Sequence, residues 1–180
     1  MYNFNINSRP PIYDPEAVQP MRDELTYTGF VEARTPQEVD KYMTDPTLGT
    51  VFVMVNSVCG CAAGSARPGV NLALQNSRIP DHLVTVFAGQ DRDAVDRVRG
   101  YLSDFPPSSP SAALFKNGKL VYMMQRYDIE GYSPQEIAEK LIDVFNQYCT
   151  TEGPSISKED YAKLEYARAC GSSIPRHKAN

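Results

Sequence analysis

The fold of this protein is decided by residues 51–64, VFVMVNSVCGCAAG. The apolar residues at 51–55 form the longest such run of the chain, and an unbroken apolar run of strand length is typical of a strand buried on both faces. A helical composition follows at 62–75. Cys59 and Cys61 therefore lie where a central strand passes into a helix.

Helices and strands alternate on both sides of this stretch. Periodicity, caps and turns predict the elements in chain order. Two helices come first, one after Asp14 and one after the capping box at 35–38; a strand at 51–55, the helix at 62–75 and a strand at 83–87 follow. The last elements are a helix after Asp91, a hairpin at 112–124 around Asn117-Gly118, and a helix after the capping box at 133–136. This order predicts an α/β fold with a central mixed sheet of about four strands and helices on both faces. We expect residues 51–55 to be central and 119–124 to lie towards one edge.

Composition divides the 180 residues into three parts, one domain with two appendages. Residues 1–13 are polar and predict an N-terminal arm without a core of its own. Residues 14–149 carry the periodic elements and predict the domain. Residues 150–180 predict a C-terminal extension, with a linker at Gly-Pro-Ser 153–155 and room for one short helix after Ser157.

The charge balance argues against two classes of partner. The formal net charge is −4, from 18 basic and 22 acidic residues without a dense Lys/Arg run. Nucleic acids and anionic membrane surfaces both require clustered positive charge, so neither is expected as a partner. No stretch approaches the roughly 20 apolar residues of a membrane-spanning helix. The N-terminal residues show no secretory leader, and we expect a cytoplasmic protein.

Four cysteines are present, and only two of them are close in sequence. In a reducing cytoplasm they are not expected to be structural disulfides, and a single close pair without a nearby histidine does not fit a zinc site. We therefore predict no bound metal. Cys149, at the end of the last helix of the domain, is expected to have no function. Cys170, in the extension, is a candidate third thiol.

The position of the pair Cys59 and Cys61 favours redox chemistry. The N-terminus of a helix stabilises a thiolate, which is the nucleophilic form of cysteine, so Cys59 is predicted to attack and Cys61 to resolve the mixed disulfide. Small neighbours, Gly60 among them, leave room for a partner's sulfur. A disulfide between cysteines two apart should be strained and oxidising, which favours a pair that carries a mixed disulfide. Two buried cysteines acting as small apolar residues, or a partial metal site, remain alternatives.

Four segments resemble the bacilliredoxin family. They are 55–64 with Ala66-Arg67-Pro68, 84–91 (VTVFAGQD), 107–111 (PSSPS) and 129–131 (IEG), within a resemblance that covers residues 14–149. The resemblance implies a thioredoxin-like fold that handles mixed disulfides between proteins and bacillithiol, a cysteinyl-glucosaminyl-malate thiol. It also implies that Cys59 takes bacillithiol from S-bacillithiolated client proteins, with bacillithiol as co-substrate and no cofactor. Some members of the family are described as disulfide isomerases.

A second resemblance, to thioredoxins, concerns the residues before the hairpin. Pro110 and the following Ser-Ala-Ala-Leu-Phe-Lys-Asn-Gly are similar to the thioredoxin segment in which a cis-proline faces the cysteines. We expect Pro110 to be cis, within van der Waals reach of the Cys59 region, and with Ser109 to hold a substrate backbone there. The Trp-Cys-Gly-Pro-Cys motif of thioredoxins is absent, and the chain has no tryptophan.

The roles of two arginines stay open, and two alternative functions remain. Arg126 either meets the malate carboxylates of bacillithiol or forms a surface ion pair, and Arg67 either favours the thiolate or lies on a solvated face. The first rival function is a metal or iron–sulfur carrier that uses the cysteine pair of each chain across a homodimer. The second is a non-catalytic thioredoxin-like scaffold that binds partners through its tail.

Overall fold

A mixed β-sheet forms the centre of the protein in the computed structural model, which describes residues 9–166 and 174–178. Its strands within those residues are β1 (Val31–Glu32), β2 (Thr50–Asn56), β4 (His82–Phe87), β5 (Ser111–Lys116) and β6 (Lys119–Met124), in the spatial order β1-β4-β2-β5-β6. β2 pairs in parallel with β4 and antiparallel with β5. The predicted α/β fold is confirmed, with β2 central and β6 at one edge.

The helices lie on both faces of this sheet. They are α1 (Pro15–Thr26), α2 (Pro36–Met43), α3 (Arg67–Ala73), α4 (Arg92–Tyr101), α5 (Pro134–Tyr148) and α6 (Lys158–Ala162). The predicted capping boxes open α2 at Thr35 and α5 at Ser133. A ribbon of β3 (Arg78–Ile79) and β7 (Thr151–Glu152) pairs antiparallel beside the sheet. None of the helices in the described residues is long and apolar enough to cross a membrane.

The alternation of side chains along β2 explains its unbroken apolar run. Phe52 and Met54 pack with α3 and α5 on one face, whereas Val51, Val53 and Val55 pack with α2 and α4 on the other. Each fully buried apolar side chain stabilises the fold by about 1.5–3 kcal/mol. β2 thus packs against a core on each face, which holds its C-terminal end, and the turn that follows, in position.

The structure differs from the prediction in two elements. Among the described residues the sheet has five strands rather than four, because Val31–Glu32 pairs in parallel with the outer edge of β4. Two residues are too short to show a strand period. Residues 62–75 also do not form one continuous α-helix, since a π-helical turn at Ala62–Ala66 precedes α3. Pro68 has no N–H to donate, and the wider turn lets Arg67 N–H reach Ala62 C=O instead.

Residues from the two ends of the chain meet on the domain. The backbone N–H of Asp14 donates to Pro175 C=O (2.8 Å), and His177 N–H donates to Ile12 C=O (2.9 Å). Ile174 is buried in a cluster with Val18, Met21, Val58 and Phe87. The N-terminal arm and the C-terminal extension are therefore joined next to the turn that carries the cysteines. The expected short helix of the extension is α6.

Candidate active site

The turn after β2 brings two sulfur atoms together. Cys59 Sγ and Cys61 Sγ are 3.0 Å apart, and both residues are free thiols. The Ser57 hydroxyl donates to Cys59 Sγ (3.1 Å) and accepts the Cys59 N–H (3.3 Å). The Cys59 C=O accepts hydrogen bonds from the N–H groups of Ala62 (3.1 Å) and Ala63 (3.2 Å). Cys59 therefore precedes the first helical turn, and Cys61 lies within it.

Opposing effects act on the pKa of Cys59. Burial raises the pKa of this thiol, but hydrogen bonds from Ser57, from the Cys61 thiol and from the backbone N–H of Ala62 lower it, as does the positive charge of Arg126. The net pKa of Cys59 lies below the ordinary value. This is the direction that its predicted role as nucleophile requires.

The pKa of Cys61 moves the other way. Burial raises it, and the hydrogen bond to Cys59 and the negative charge of that thiolate raise it further, which outweighs the charge of Arg126. Cys61 thus keeps its proton while Cys59 is a thiolate. Once Cys59 carries an adduct it has no charge, and this obstacle to ionising Cys61 disappears. The two pKa shifts are in the directions that the predicted roles of Cys59 as nucleophile and Cys61 as resolving thiol require.

Arg126 begins the short helical turn after β6 and forms the surface ion pair that was one of its two interpretations, whereas binding of malate carboxylates stays a prediction. The charges of the Cys61 and Cys59 thiolates raise the pKa of Arg126, which lies close enough to act on both sulfurs. The same guanidinium forms an ion pair with Glu130 at 3.5 Å, with the two side chains 45% and 63% exposed. Exposed pairs of this kind contribute little, so the ion pair leaves Arg126 available to a ligand.

The peptide bond between Ser109 and Pro110 is cis, which confirms the prediction for Pro110. It lies immediately before β5, whose first residue Ser111 pairs with Val55 of β2. Ser109 lines the same cavity as Cys59. Direct contact between Pro110 and the Cys59 region stays a prediction, as does the role of Gly60 in admitting a partner.

A cavity of about 360 Å³ adjoins Cys59. Its polar lining comes from Ser57, Cys59, Arg99, Ser109 and Arg126. The sequence analysis identified Cys59, Ser109 and Arg126 but missed Ser57 and Arg99. For Arg99 one signal was present: it follows Val98 and lies four residues after Val95, beside the apolar stripe of α4.

The N-terminal arm also contributes to this cavity, which was not expected. Ile12 and Tyr13 line it together with Cys59. Ile12 N–H donates to Gly89 C=O (2.7 Å), and Tyr13 N–H donates to the side-chain oxygen of Gln90 (2.9 Å). Two hydrogen bonds therefore fix the arm to the turn after β4, on the site side of the sheet.

Arg67 is buried, so of its two interpretations the solvated face is wrong. Its side chain has 0% exposure and pairs with Glu24 of α1 at 2.5 Å. It also donates to Asn56 Oδ1 (3.0 Å) and to Ser57 C=O (2.8 Å). Arg67 ties the end of β2 to α1 and holds the residue whose hydroxyl contacts Cys59. Its spacing of three and seven residues from Val70 and Leu74 was the available sequence signal for an inward position.

Cys149 is not part of this site. Burial raises the pKa of Cys149 to about 11, so this thiol stays protonated near neutral pH. Cys170 lies outside the described residues. Within 9–166 and 174–178, no three side chains of the His, Cys, Asp or Glu type converge as metal ligands.

Comparison with known proteins finds one matching family and similar proteins named bacilliredoxins. The family described as Disulphide isomerase matches residues 13–149. A bacilliredoxin from Halalkalibacterium halodurans is 50% identical over 137 residues, 76% of this chain and 94% of that protein. One from Geobacillus kaustophilus is 51% identical over 138 residues, with coverage of 76% and 94%. One from Cytophaga hutchinsonii is 48% identical over 136 residues, with coverage of 76% and 99%.

Proposed function

This chain belongs to the bacilliredoxin family, and with it to the thiol–disulfide oxidoreductases, and we propose that it removes bacillithiol from S-bacillithiolated proteins. The observation that carries the proposal is the opposite pKa shift of two thiols whose sulfurs are 3.0 Å apart. An exchange enzyme needs one thiolate for the first attack and one protonated thiol held back for the second.

The reaction proceeds through two exchanges. The Cys59 thiolate attacks the bacillithiol sulfur of the modified client, a Cys59–bacillithiol disulfide forms, and the client sulfur leaves as a thiolate that takes up a proton. Cys61, no longer facing a charged neighbour, then loses its proton and attacks Cys59 Sγ. Bacillithiol leaves as a thiolate, and the resulting Cys59–Cys61 disulfide is returned to the dithiol by an external thiol reductant.

The surrounding residues bind the two halves of the substrate. Ser109 lines the cavity of Cys59, and the client chain would bind there, next to Pro110. Gly60 leaves the approach to Cys59 open, since nothing lies within 4 Å of a Cβ placed there. Arg126 supplies positive charge for the malate carboxylates. The protein would act in the cytoplasm with bacillithiol as its thiol co-substrate. Disulfide isomerisation would result when Cys59 attacks a disulfide of a client and a second client thiolate then displaces Cys59 from the mixed disulfide, so that one client disulfide replaces another.

Intact mass spectrometry tests this function. A client protein carrying bacillithiol is incubated with the reduced protein, and both masses are followed. We expect Cys59→Ser to abolish removal of bacillithiol and Cys61→Ala to accumulate the adduct on Cys59. Cys149→Ala is the matched control and should retain the wild-type course, because this buried thiol stays protonated.

The opposite pattern, in which Cys61→Ala is inert and Cys59→Ser traps the adduct, would reverse the two roles. Retention of full activity by both variants would mean that the pair is not the site. Metal content of the protein purified without oxygen would then decide between the carrier and the scaffold.

A further inference from the structure

The cavity beside Cys59 has an uneven charge. Arg99 and Arg126 both line it, whereas no aspartate or glutamate from the described part of the chain does. The two arginines come from different elements, Arg99 from the last turn of α4 and Arg126 from the turn after β6. At about 360 Å³ the cavity is within the range of small-molecule sites. A cavity of this size and charge suits a small anion.

Arg99 carries a charge that no described carboxylate balances. Like Nη2 of Arg67, Nε of Arg99 is buried without a hydrogen-bond partner. Its guanidinium also forms no ion pair with any described residue, in contrast to the buried Arg22 and Arg67, which bind Asp91 and Glu24. On the same helix, Arg97 binds Asp40 at 2.6 Å. Arg99 thus lines the cavity with a positive charge that no described carboxylate offsets, and an anion bound there would supply the missing counter-charge.

We infer that Arg99, together with Arg126, forms an anion subsite that recognises the carboxylates of the low-molecular-weight thiol transferred to Cys59. A guanidinium presents a planar fork of N–H donors that matches a carboxylate, and two such groups match a dicarboxylate. This inference rests on the proposed function for the identity of the thiol, whose malate carries two carboxylates. It makes Arg99 the residue that selects an anionic thiol over a neutral one.

The subsite also fits the path of the exchange. Cys59 lies in the wall of the cavity, so a thiol bound there through its carboxylates keeps its sulfur next to the nucleophile. Ser109, which the proposed function assigns to the client side, also lines this cavity. The arginines therefore hold the part of the substrate that stays on the enzyme after the first step.

The test measures the formation of the Cys59 adduct in a Cys61→Ala background with three symmetrical disulfides. These are bacillithiol disulfide, mercaptosuccinate disulfide, which carries two carboxylates on each half without a sugar, and uncharged hydroxyethyl disulfide. In each case the Cys59 thiolate bonds to one sulfur and the other half leaves as a thiolate. We expect Arg99→Gln to slow both anionic disulfides by about tenfold, as expected for loss of a charge-assisted hydrogen bond, and hydroxyethyl disulfide by less than about twofold.

Arg97→Gln is the matched control, because it makes the same substitution two residues earlier on α4, outside the cavity. It should leave all three rates unchanged. Equal slowing of all three disulfides by Arg99→Gln would overturn the subsite and show that Arg99 acts on the thiolate itself. Unchanged rates with all three would overturn it as well.

The two proposals fail separately in this design. If the protein takes bacillithiol from a modified client but shows no dependence on Arg99, the proposed function stands and the subsite falls. If it takes none from the client but prefers mercaptosuccinate disulfide through Arg99, the proposed function falls and the anion subsite stands.

Discussion

At the scale of single residues, the reactivity of Cys59 depends on a neighbour two positions earlier. The Ser57 hydroxyl donates to Cys59 Sγ at 3.1 Å, and this hydrogen bond lowers the pKa of the thiol. Ser57 itself is fixed by its own N–H, which donates to Asn56 Oδ1 (2.9 Å), and by Arg67, which holds its carbonyl. The donor is thus already oriented before a substrate arrives, and its loss should be visible in the ionisation of Cys59.

We expect Ser57→Ala to raise the pKa of Cys59. The rate of alkylation by iodoacetamide rises with pH as Cys59 ionises, so in the variant this rise should occur at higher pH. At neutral pH the variant should react about tenfold more slowly, as expected for one hydrogen bond to a charged group, and at high pH the two rates should converge. Ser65→Ala, which removes a hydroxyl bonded to Tyr132 C=O instead, is the control. Superimposable pH profiles for Ser57→Ala and the wild type would contradict the assignment.

The position of Cys59 at a strand-to-helix turn could be predicted from the sequence, but the residues that tune its pKa could not. A cysteine at a strand-to-helix junction has a physical reason to ionise that the sequence already shows. The direction of the Ser57 hydroxyl depends on the backbone of the turn. The missing partner of Arg99 depends on which acidic groups the fold brings near it. Neither the orientation of the Ser57 hydroxyl nor the lack of a partner for Arg99 follows from a periodic pattern in the sequence.

At the scale of elements, a buried ion pair joins α1, β2 and the start of α3. Arg67 has no exposed surface, and its pair with Glu24 at 2.5 Å is supplemented by hydrogen bonds to the end of β2. Removing one partner of a buried pair leaves a charge without compensation, which is far more costly than the net gain from the pair. The junction that carries the cysteines therefore depends on a polar contact inside an apolar region.

We expect Glu24→Gln to lower the free energy of unfolding by about 3–5 kcal/mol, because the buried guanidinium of Arg67 loses its counter-charge. Urea denaturation monitored by circular dichroism measures this. Glu16→Gln makes the same substitution at an exposed position of α1 and should change the stability by less than about 0.5 kcal/mol. Equal, small effects of both substitutions would show that the pair does not stabilise the junction.

The elements themselves were largely predictable, and the exceptions have physical causes. β2, β4 and the β5–β6 hairpin follow from apolar runs and from Asn117-Gly118, whose φ angles of +51° and +78° suit the tight hairpin turn. β1 was missed because two residues cannot show a period of two. The π-helical turn was missed because composition distinguishes helix from strand but does not distinguish an α from a π register.

At the scale of the whole molecule, the arm and the extension complete the surroundings of the site. Ile174 is 8% exposed and packs against Val58, the residue before Cys59. The sequence placed both segments outside the domain and could not predict their meeting, because they contact each other from opposite ends of the chain. Contacts of that kind leave no local signal. Their strength can be measured separately from that of the core.

We expect Ile174→Asp to detach residues 174–178 from the domain, because it places a carboxylate in an apolar cluster. The amide of Asp14, which donates to Pro175 C=O, should then exchange its hydrogen at least about tenfold faster, as expected from loss of the roughly 1.5–3 kcal/mol that a buried Ile contributes. Amides of β2 should be unaffected, since its two cores are intact. Lys178→Ala, at an exposed position, is the control. Unchanged exchange at Asp14 in Ile174→Asp would contradict this prediction.

The hydrogen bond from His177 to Ile12 connects the extension to a residue that lines the cavity of Cys59. Occupancy of the cavity is thermodynamically linked to docking of the chain ends for any ligand whose contacts require the docked arm. A ligand that gains its contact with Tyr13 only when the arm is docked must favour docking by the same factor by which docking favours the ligand. Saturation of the cavity with such a ligand would therefore be detectable far from Cys59, as tighter docking of residues 174–178.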